Sequence, residues 1–458
     1  MFVLNNKTRK TSFYHYMIRR LFFFLAAIAL LLTACKDNDT FSTDRSHRLT
    51  FSTDTVRLDT LFSQVPSVTR TFWVFNHSGD GIRIRTVRLD RGNQSGFRVN
   101  VDGTFLDPVA SDFEVRKGDS IRVFVEITSH ENLQAEAQLV EDNLIFLLES
   151  GVEQRVNLRT YSWDALKLTN KEVASDEVLT STMPVVIYGQ GITVNEGATL
   201  TIRDTELYFH DGAGISVSGK LILENVLLRG DRLDRMFAYL PYDRVSGQWK
   251  GITLNEGAAG IVMTDSELRS ANTGILATAT SVELTNSIIH NCKGHGLYAY
   301  NTKVSLQNCL LSNCLNDCLS LHGGYAEVNA TTLAQFYPYS GNRGAALRFS
   351  NTKEEALSLS CSNMMATGYE DDEVFKDNAE GIAVEEMEYT FSNCLLRTGA
   401  VDDPDIFTDI IWEKPSDPIQ GKLHFKLFDD TNFIYDFHVK EESPCFEKHI
   451  GWIGNSAE

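Results

Sequence analysis

Histidines, tyrosines and carboxylates at regular spacing are the residues of this chain that could do chemistry. His295 and Asp317 lie 22 residues apart, and the surrounding sequence repeats with a step of 21–22 residues. They are therefore expected to be neighbours within hydrogen-bonding reach. Either they form an imidazole–carboxylate pair, or His295 is a corner residue with no chemistry. The same steps put Tyr298, Ser320 and Arg348 in one outward column, and Tyr300, His322 and Ser350 in the next. Tyr298, Tyr300, His322 and Arg348 would then share one patch of two aromatic rings, an imidazole and a guanidinium. Tyrosine offers an apolar face with a polar tip, and arginine a fork for carboxylates, so the patch suits a glycan or a protein partner. The alternative is four unrelated surface residues. A glycosidase needs two carboxylates across a sugar. Neither column holds one, so no catalytic residue is assigned.

The run Glu370-Asp371-Asp372-Glu373, with Asp377 close by, could offer oxygen ligands to calcium. It lacks the spacing of an EF-hand, so it reads as a solvated acidic loop with a calcium site as the alternative. No other cofactor or metal is expected. Cys292 and Cys314 are one step apart and should stack, either as small core residues or as a disulfide. No Cys pair has CxxC spacing, which excludes zinc ribbons and thioredoxin-like motifs.

The elements that position these residues come from the repeat. One template, apolar-x-apolar-x-Asx-x-x-apolar, recurs at Leu200–Leu207, Leu221–Leu228, Ile261–Leu268, Val282–Ile289 and Val304–Leu311. Degenerate copies follow at Ala326–Leu333 and at Leu357–Met364, the latter with Cys361 in the Asx place, and a good one at Tyr389–Leu396. A second strand led by small residues precedes each copy, as in Gly251-Ile252-Thr253-Leu254 and Gly296-Leu297-Tyr298-Ala299. Such a pattern describes stacked coils in which apolar pairs point inward and Asx turns the corner. The fold class is all-β, with a right-handed parallel β-helix over residues 166–398 and a capping segment over 399–458. Residues 47–165 precede it. They alternate apolar and polar positions in short strands broken by turns such as Asn76-His77-Ser78-Gly79-Asp80, which indicates an antiparallel β-sandwich.

The β-helix stretch resembles the pectate-lyase-like fold, carried by Gly247-Gln248-Trp249-Lys250-Gly251-Ile252, Asn308-Cys309-Leu310-Leu311-Ser312-Asn313-Cys314 and Gly323-Gly324-Tyr325. Within it, Gly294-His295-Gly296 and Asn316-Asp317 resemble polygalacturonase motifs, in reversed chain order. The front segment, with TFWVFNHSGD and DSIRVFVEI, resembles the Ig-like domains of Bacteroidota surface lipoproteins. At the start, Met17-Ile18-Arg19-Arg20 precedes the apolar run Leu21–Leu32, which ends in Leu32-Thr33-Ala34-Cys35. This resembles a bacterial lipobox. It implies a signal peptide over residues 1–34, with Met17 as an alternative start, and a lipid on Cys35 at the head of a tether over 35–46. Lys36-Asp37-Asn38-Asp39 resembles a surface-export signal. The resemblance therefore implies an outer-membrane, lipid-anchored protein.

Charge narrows the partners. The chain carries 42 Lys and Arg against 61 Asp and Glu, a net −19. Removing residues 1–34 removes five cations, leaving 37 against 61, or −24. That excludes a nucleic-acid partner, which needs a basic surface. The expected partners are membrane lipid through Cys35 and a glycan or another outer-membrane protein. The function expected is non-catalytic binding or docking. A cell-surface polysaccharide lyase or hydrolase, or a structural subunit of a membrane complex, are the alternatives.

Overall fold

The computed structural model describes residues 40–235, 240–377 and 387–454. Cys35 and its lipobox lie outside them. The chain divides into two compact units. The first comprises residues up to Val56 with Thr69–Ile127 and Glu141–Arg159, and the second comprises Arg57–Val68, Thr128–Val140 and everything from Thr160 onward.

The first unit is built on two sheets. One carries Arg70–Phe75 antiparallel to Ser120–Ile127, which in turn pairs Phe97–Val101. The other carries Ile82–Leu89 between Val109–Val115 and Gln138–Leu148. Strands alternate buried and exposed residues, as Ser120–Ile127 does, because one face of each sheet meets the core. Phe51 of one sheet meets Phe146 of the other with ring centroids 5.1 Å apart. The Asn76 turn is locked from within: Asn76 Nδ2 donates to the carbonyls of Asp80 and Val115, and its Oδ1 accepts from Ser78 N–H.

The second unit is a stack of parallel coils, each contributing to three faces. Gly214–Val217, Ile252–Leu254, Ile275–Thr278 and the starts of Leu297–Gln307 and Leu319–Asn329 belong to the first face. The Asx-bearing strands, such as Gly260–Thr264 and Ser281–Thr285, form the second. Short strands such as Glu267–Arg269, Ile288–His290 and Leu310–Ser312 form the third. Each strand pairs in parallel with its equivalent on the next coil, as Leu284 with Leu306 and Leu306 with Val328. The interior is a continuous column of aliphatic side chains and small thiols. All seven described cysteines are free and buried, Cys292 and Cys314 among them. At first-face corners the next backbone passes very close. A Cβ on Gly251, at φ +94°, would sit 1.7 Å from the Thr273 carbonyl oxygen.

The corner between the second and third faces is one residue in the left-handed region. Asp204, Asn225, Asp265, Asn286, Asn308, Ala330, Asn363 and Asn393 hold it with φ of 47–53°. Asx tolerates that region better than other side chains, and its amide bonds along the stack. Asn225 donates to Asp204 at 3.0 Å, Asn286 to Asp265 at 3.0 Å and Asn308 to Asn286 at 2.9 Å. The seventh copy is in a different register from the sequence expectation. Cys361 stacks on Val328 as an inward residue, and the corner is Asn363, two residues later. The template misplaced it because Leu357, Leu359 and Cys361 are three inward apolar positions rather than two. At Ala330, which has no amide, Asn329 Oδ1 accepts from Asn363 Nδ2 at 2.8 Å instead.

The parallel stack runs past residue 398 to Ile411–Trp412. After it, the hairpin of Phe425–Asp429 with Ile434–Val439 folds onto the third face. Phe425, Phe437, Ile450 and Trp452 pack against Leu310, Phe336, Met365 and Leu395. The tail also clasps the corner ladder. Asn308 Nδ2 donates to Gly454 O at 2.9 Å, Ile453 N–H to Asn308 Oδ1 at 3.0 Å, and Asn393 Nδ2 to Lys448 O at 3.0 Å. A buried network ties Arg397 to Glu413, Glu413 to His424 at 3.2 Å, and His424 to Ser443 at 2.8 Å.

The acidic run does not behave as one solvated loop. Glu373 is fully buried, its oxygens accepting the N–H groups of Ala346 and Glu370, each at 3.0 Å. Glu370 instead reaches Arg343 at 3.0 Å, and Asp371 lies 3.5 Å from Arg397. Neighbouring carboxylates are thus drawn to different cations, and among the described residues no cluster of three metal-ligating side chains forms.

Two outcomes follow from this packing. Leu306, 1% exposed, fills the cylinder, so Leu306→Ala should lower unfolding free energy by about 2–5 kcal/mol in a denaturant titration. A cost below about 0.5 kcal/mol, the level of an exposed residue, would contradict the register. Burial also pushes the Glu373 carboxyl up to about 8, the two backbone N–H groups only partly opposing it. A raised folded-state value means the unfolded chain loses this proton first as pH rises. The stabilisation is whole below the ordinary 4.5 and is lost as pH climbs through about 8. Glu373→Gln should flatten the fall of Tm across that window, and an unaltered Tm–pH profile would contradict it.

Candidate functional site

Outward positions of the first face carry the residues the sequence singled out. Leu297, Ala299, Leu319 and Leu321 point into the cylinder, so alternation turns Tyr298, Tyr300 and His322 outward. Tyr298 stacks on Ser320 and Ser320 on Arg348, while Tyr300 stacks on His322 and His322 on Ser350. The hairpin and tail pack on the third face, and Tyr298, Tyr300 and His322 are half-buried. The structure brings His295 into the same group. Its ring lies 5.2 Å from that of Tyr298, which lies 5.0 Å from that of His322. Three rings thus form a row across successive coils.

Beneath the row sits Asp317, only 4% exposed. Its Oδ2 is 3.4 Å from His295 Nδ1, and Arg348 Nε reaches Oδ1 at 3.1 Å. Ala345 N–H donates to Oδ1 at 2.8 Å. Burial alone would raise this carboxyl, but His295, the Ala345 N–H and Arg348 outweigh it and hold it below the usual carboxylate range. Asp317 is therefore ionised and can only accept hydrogen bonds. Ser320 Oγ, 3.3 Å away, must donate to it. His322 Nε2 then donates to Ser320 Oγ at 3.0 Å, and Ser350 O–H donates to His322 Nδ1 at 2.7 Å. Burial pushes His322 down, so its ring is neutral at neutral pH, and both nitrogens are occupied.

The structure corrects one sequence expectation here. Arg348 has no acidic neighbour within the two columns as read from sequence, which left its fork free for a ligand carboxylate. In the fold its guanidinium spans Asp317 and, at 3.0 Å, Asp377. Asp317 comes from a corner and Asp377 from the next coil's strand end, positions the column count did not include. Tyr300 is also engaged, its hydroxyl donating to Glu354 at 2.6 Å. His295 is held as well, its Nε2 3.4 Å from Asn316 Nδ2 and its Nδ1 facing Asp317. Among the described residues of the insertion over 229–248, Arg235 pairs with Asp243 at 2.8 Å and Arg232 with Asp234 at 2.7 Å.

Sequence reasoning missed a second concavity. On the third face, Glu267, Arg269, His290 and Ser312 point outward and, with Asn291, Asn313, His438 and Trp452, line a cleft of about 390 Å³. Its signal was present in the x-apolar-x alternation of Glu267-Leu268-Arg269 and Ile288-Ile289-His290, but the wall comes from the tail more than 120 residues later.

Residues 185–333 match the family model for the right-handed β-helix region. No curated protein matches the chain. Among solved structures, a family 123 glycoside hydrolase from Clostridium perfringens, described for glycolipid glycan hydrolysis, is 5% identical with a TM-score of 0.19. The match covers 27% of this chain and 30% of the hydrolase, so the chain spans less than a third of that protein. The ASH/PapD-like domain of human CEP192 is 9% identical with a TM-score of 0.18, covering 26% of this chain and 87% of that domain. The stack that positions both the ring row and the cleft is thus a right-handed parallel β-helix in an all-β chain.

Proposed function

We propose that this chain is an acylated outer-membrane lipoprotein, anchored through Cys35, that binds a glycan without transforming it. Its binding surface is the first-face row of His295, Tyr298 and His322, flanked by Tyr300. The observation that carries the reading is the closed network under the row. Asp317, Ser320, His322, Ser350, Arg348 and Asp377 satisfy one another, so the His322 ring is held in place and the donors and acceptors of the network are engaged with each other. An aromatic surface with polar edges suits the apolar faces and hydroxyls of a sugar. The hydrolase alternative needs a carboxyl held protonated near neutral pH, and Asp317 is held in the opposite state. An acidic body stays at the membrane because acyl chains contribute about 0.8 kcal/mol per buried CH₂ without basic help.

Two experiments test the reading. A Tyr298→Ala, Tyr300→Ala variant should fold normally, since both rings point away from the core, and should lose glycan-array binding by about tenfold or more. Wild-type binding by that variant would contradict the platform. Cys35→Ala should move the protein from the membrane fraction to the soluble fraction in cell fractionation. Retention of Cys35→Ala in carbonate-washed outer membranes would contradict the anchor.

A further inference from the structure

We infer that the outward face of one sheet in the first unit is a binding site for a carboxylate-bearing sugar ring, such as a uronate residue of an acidic polysaccharide. The inference stands apart from the first-face platform, because residues of a different unit carry it.

Both sheets of the first unit turn one face to water, and the two faces differ. On the sheet of Ile82–Leu89, arginines are paired with carboxylates: Arg83 with Glu114 at 2.9 Å and Arg159 with Glu141 at 3.6 Å. On the sheet of Arg70–Phe75 and Ser120–Ile127, alternation turns rings outward instead. Trp73 is 42% exposed, and Phe105 on the edge strand Thr104–Phe105 is 66% exposed. Phe75 and Phe124 are half-buried, and the Phe75 ring stacks on that of Trp73 at 6.5 Å. Exposed rings gathered on one face mark an interaction surface.

Arg122 sits among these rings. It lies directly opposite Trp73 in the strand pair. Its guanidinium carbon is 5.4 Å from the Trp73 ring centroid and 5.0 Å from that of Phe124. Its Nη2 donates to Thr71 Oγ1 at 3.2 Å, and among the described residues no carboxylate pairs with it. Neighbouring Arg98 is neutralised by Glu126 at 2.8 Å, so the outward positions of these strands carry one unbalanced positive charge. The other open groups are donors too. Asn100 Oδ1 accepts the N–H of Gly103 at 2.9 Å, and among the described residues neither Asn100 Nδ2 nor Trp73 Nε1 has a partner.

A cation among open donors matches an anionic, acceptor-rich ligand. The arginine fork holds a carboxylate through two parallel bonds, and a flat ring holds the C–H face of a pyranose. A uronate carries both features on one ring. A slot of about 290 Å³ is lined by Arg98, Asn100, Phe105 and Phe124. Trp73 and Phe105 stand on strands three spacings apart, about 14 Å, so more than one ring of a chain can lie across the face. A peptide strand would instead add along a sheet edge through its backbone, and a carboxylate without a ring would leave the aromatic faces wet. The chain's net −19 does not oppose the assignment, because exposed charges more than about 8 Å away are largely screened at physiological ionic strength.

The test is calorimetry on the full-length chain with the tetrasaccharides of galacturonate, mannuronate and glucuronate, with their methyl esters, and with a tetraglutamate peptide. At least one uronate oligomer should bind. Its methyl ester, which keeps the rings and loses the charge, should bind about tenfold or more weakly. That comparison uses the wild-type protein and is independent of any effect of substitution on folding. Arg122→Gln and Trp73→Ala should each weaken binding by about tenfold or more. Arg122→Lys, a charge without the fork, should fall between wild type and Arg122→Gln. The Tyr298→Ala, Tyr300→Ala variant should bind as wild type. The inference is overturned if no uronate oligomer binds, if the esters bind as tightly, if the glutamate peptide is preferred, or if Arg122→Gln binds unchanged. Loss of binding in the tyrosine variant with Arg122→Gln unaffected would overturn this inference and leave the platform reading in place.

Discussion

A single left-handed residue, repeated once per coil, is the constraint on which the rest of the second unit depends. It turns the chain from the second face to the third between an inward apolar residue and the start of the next strand. Most residues pay about 1–2 kcal/mol to adopt that region. Asx resists the penalty through its short polar side chain, and here that side chain also bonds to the coil below. With each corner fixed in this way, successive coils stay in step. Inward positions then form continuous apolar columns, and outward positions form equally continuous surface columns. The same amides receive the C-terminal tail, so the ladder aligns the coils and anchors the segment that walls the cleft.

Surface chemistry inherits this regularity. Stacking puts equivalent side chains about 4.8 Å apart, close enough for polar groups from three coils to form one network around Asp317. The result is a surface whose charges are spent on one another, with aromatic rings left outermost. On the third face the stacking is the same but the outcome differs. There the hairpin and tail add a wall, and a cleft lies between wall and floor.

The repeat was legible because its two signals, apolar alternation and a corner Asx, are local and recur. That sufficed to assign the all-β class and the inward and outward senses of Leu306 and Tyr298. It failed at Cys361, where three alternating apolar residues offered two registers and only the left-handed Asn363 distinguishes them. The pairing of Arg348 was not legible, because its partners come from a corner and from a coil 29 residues on, outside the columns that period two defines. The burial of Glu373 was hidden for a related reason. Its side chain accepts from the Ala346 N–H, which only stacking brings near, as well as from the Glu370 N–H three residues back, so four consecutive acids read as solvated. The cleft was not legible because one wall is a tail whose fold follows no repeat.

The central claim is that the side-chain ladder, beyond the corner backbone, couples the coils to the tail. Hydrogen–deuterium exchange on Asn308→Gly tests it most directly, since glycine keeps the left-handed corner and removes only the amide. The account predicts faster exchange both at the neighbouring corners, Asn286 and Ala330, and at Gly451–Gly454, while the first-face strands stay protected. Exchange that quickens only at residue 308, with the tail as protected as before, would contradict it.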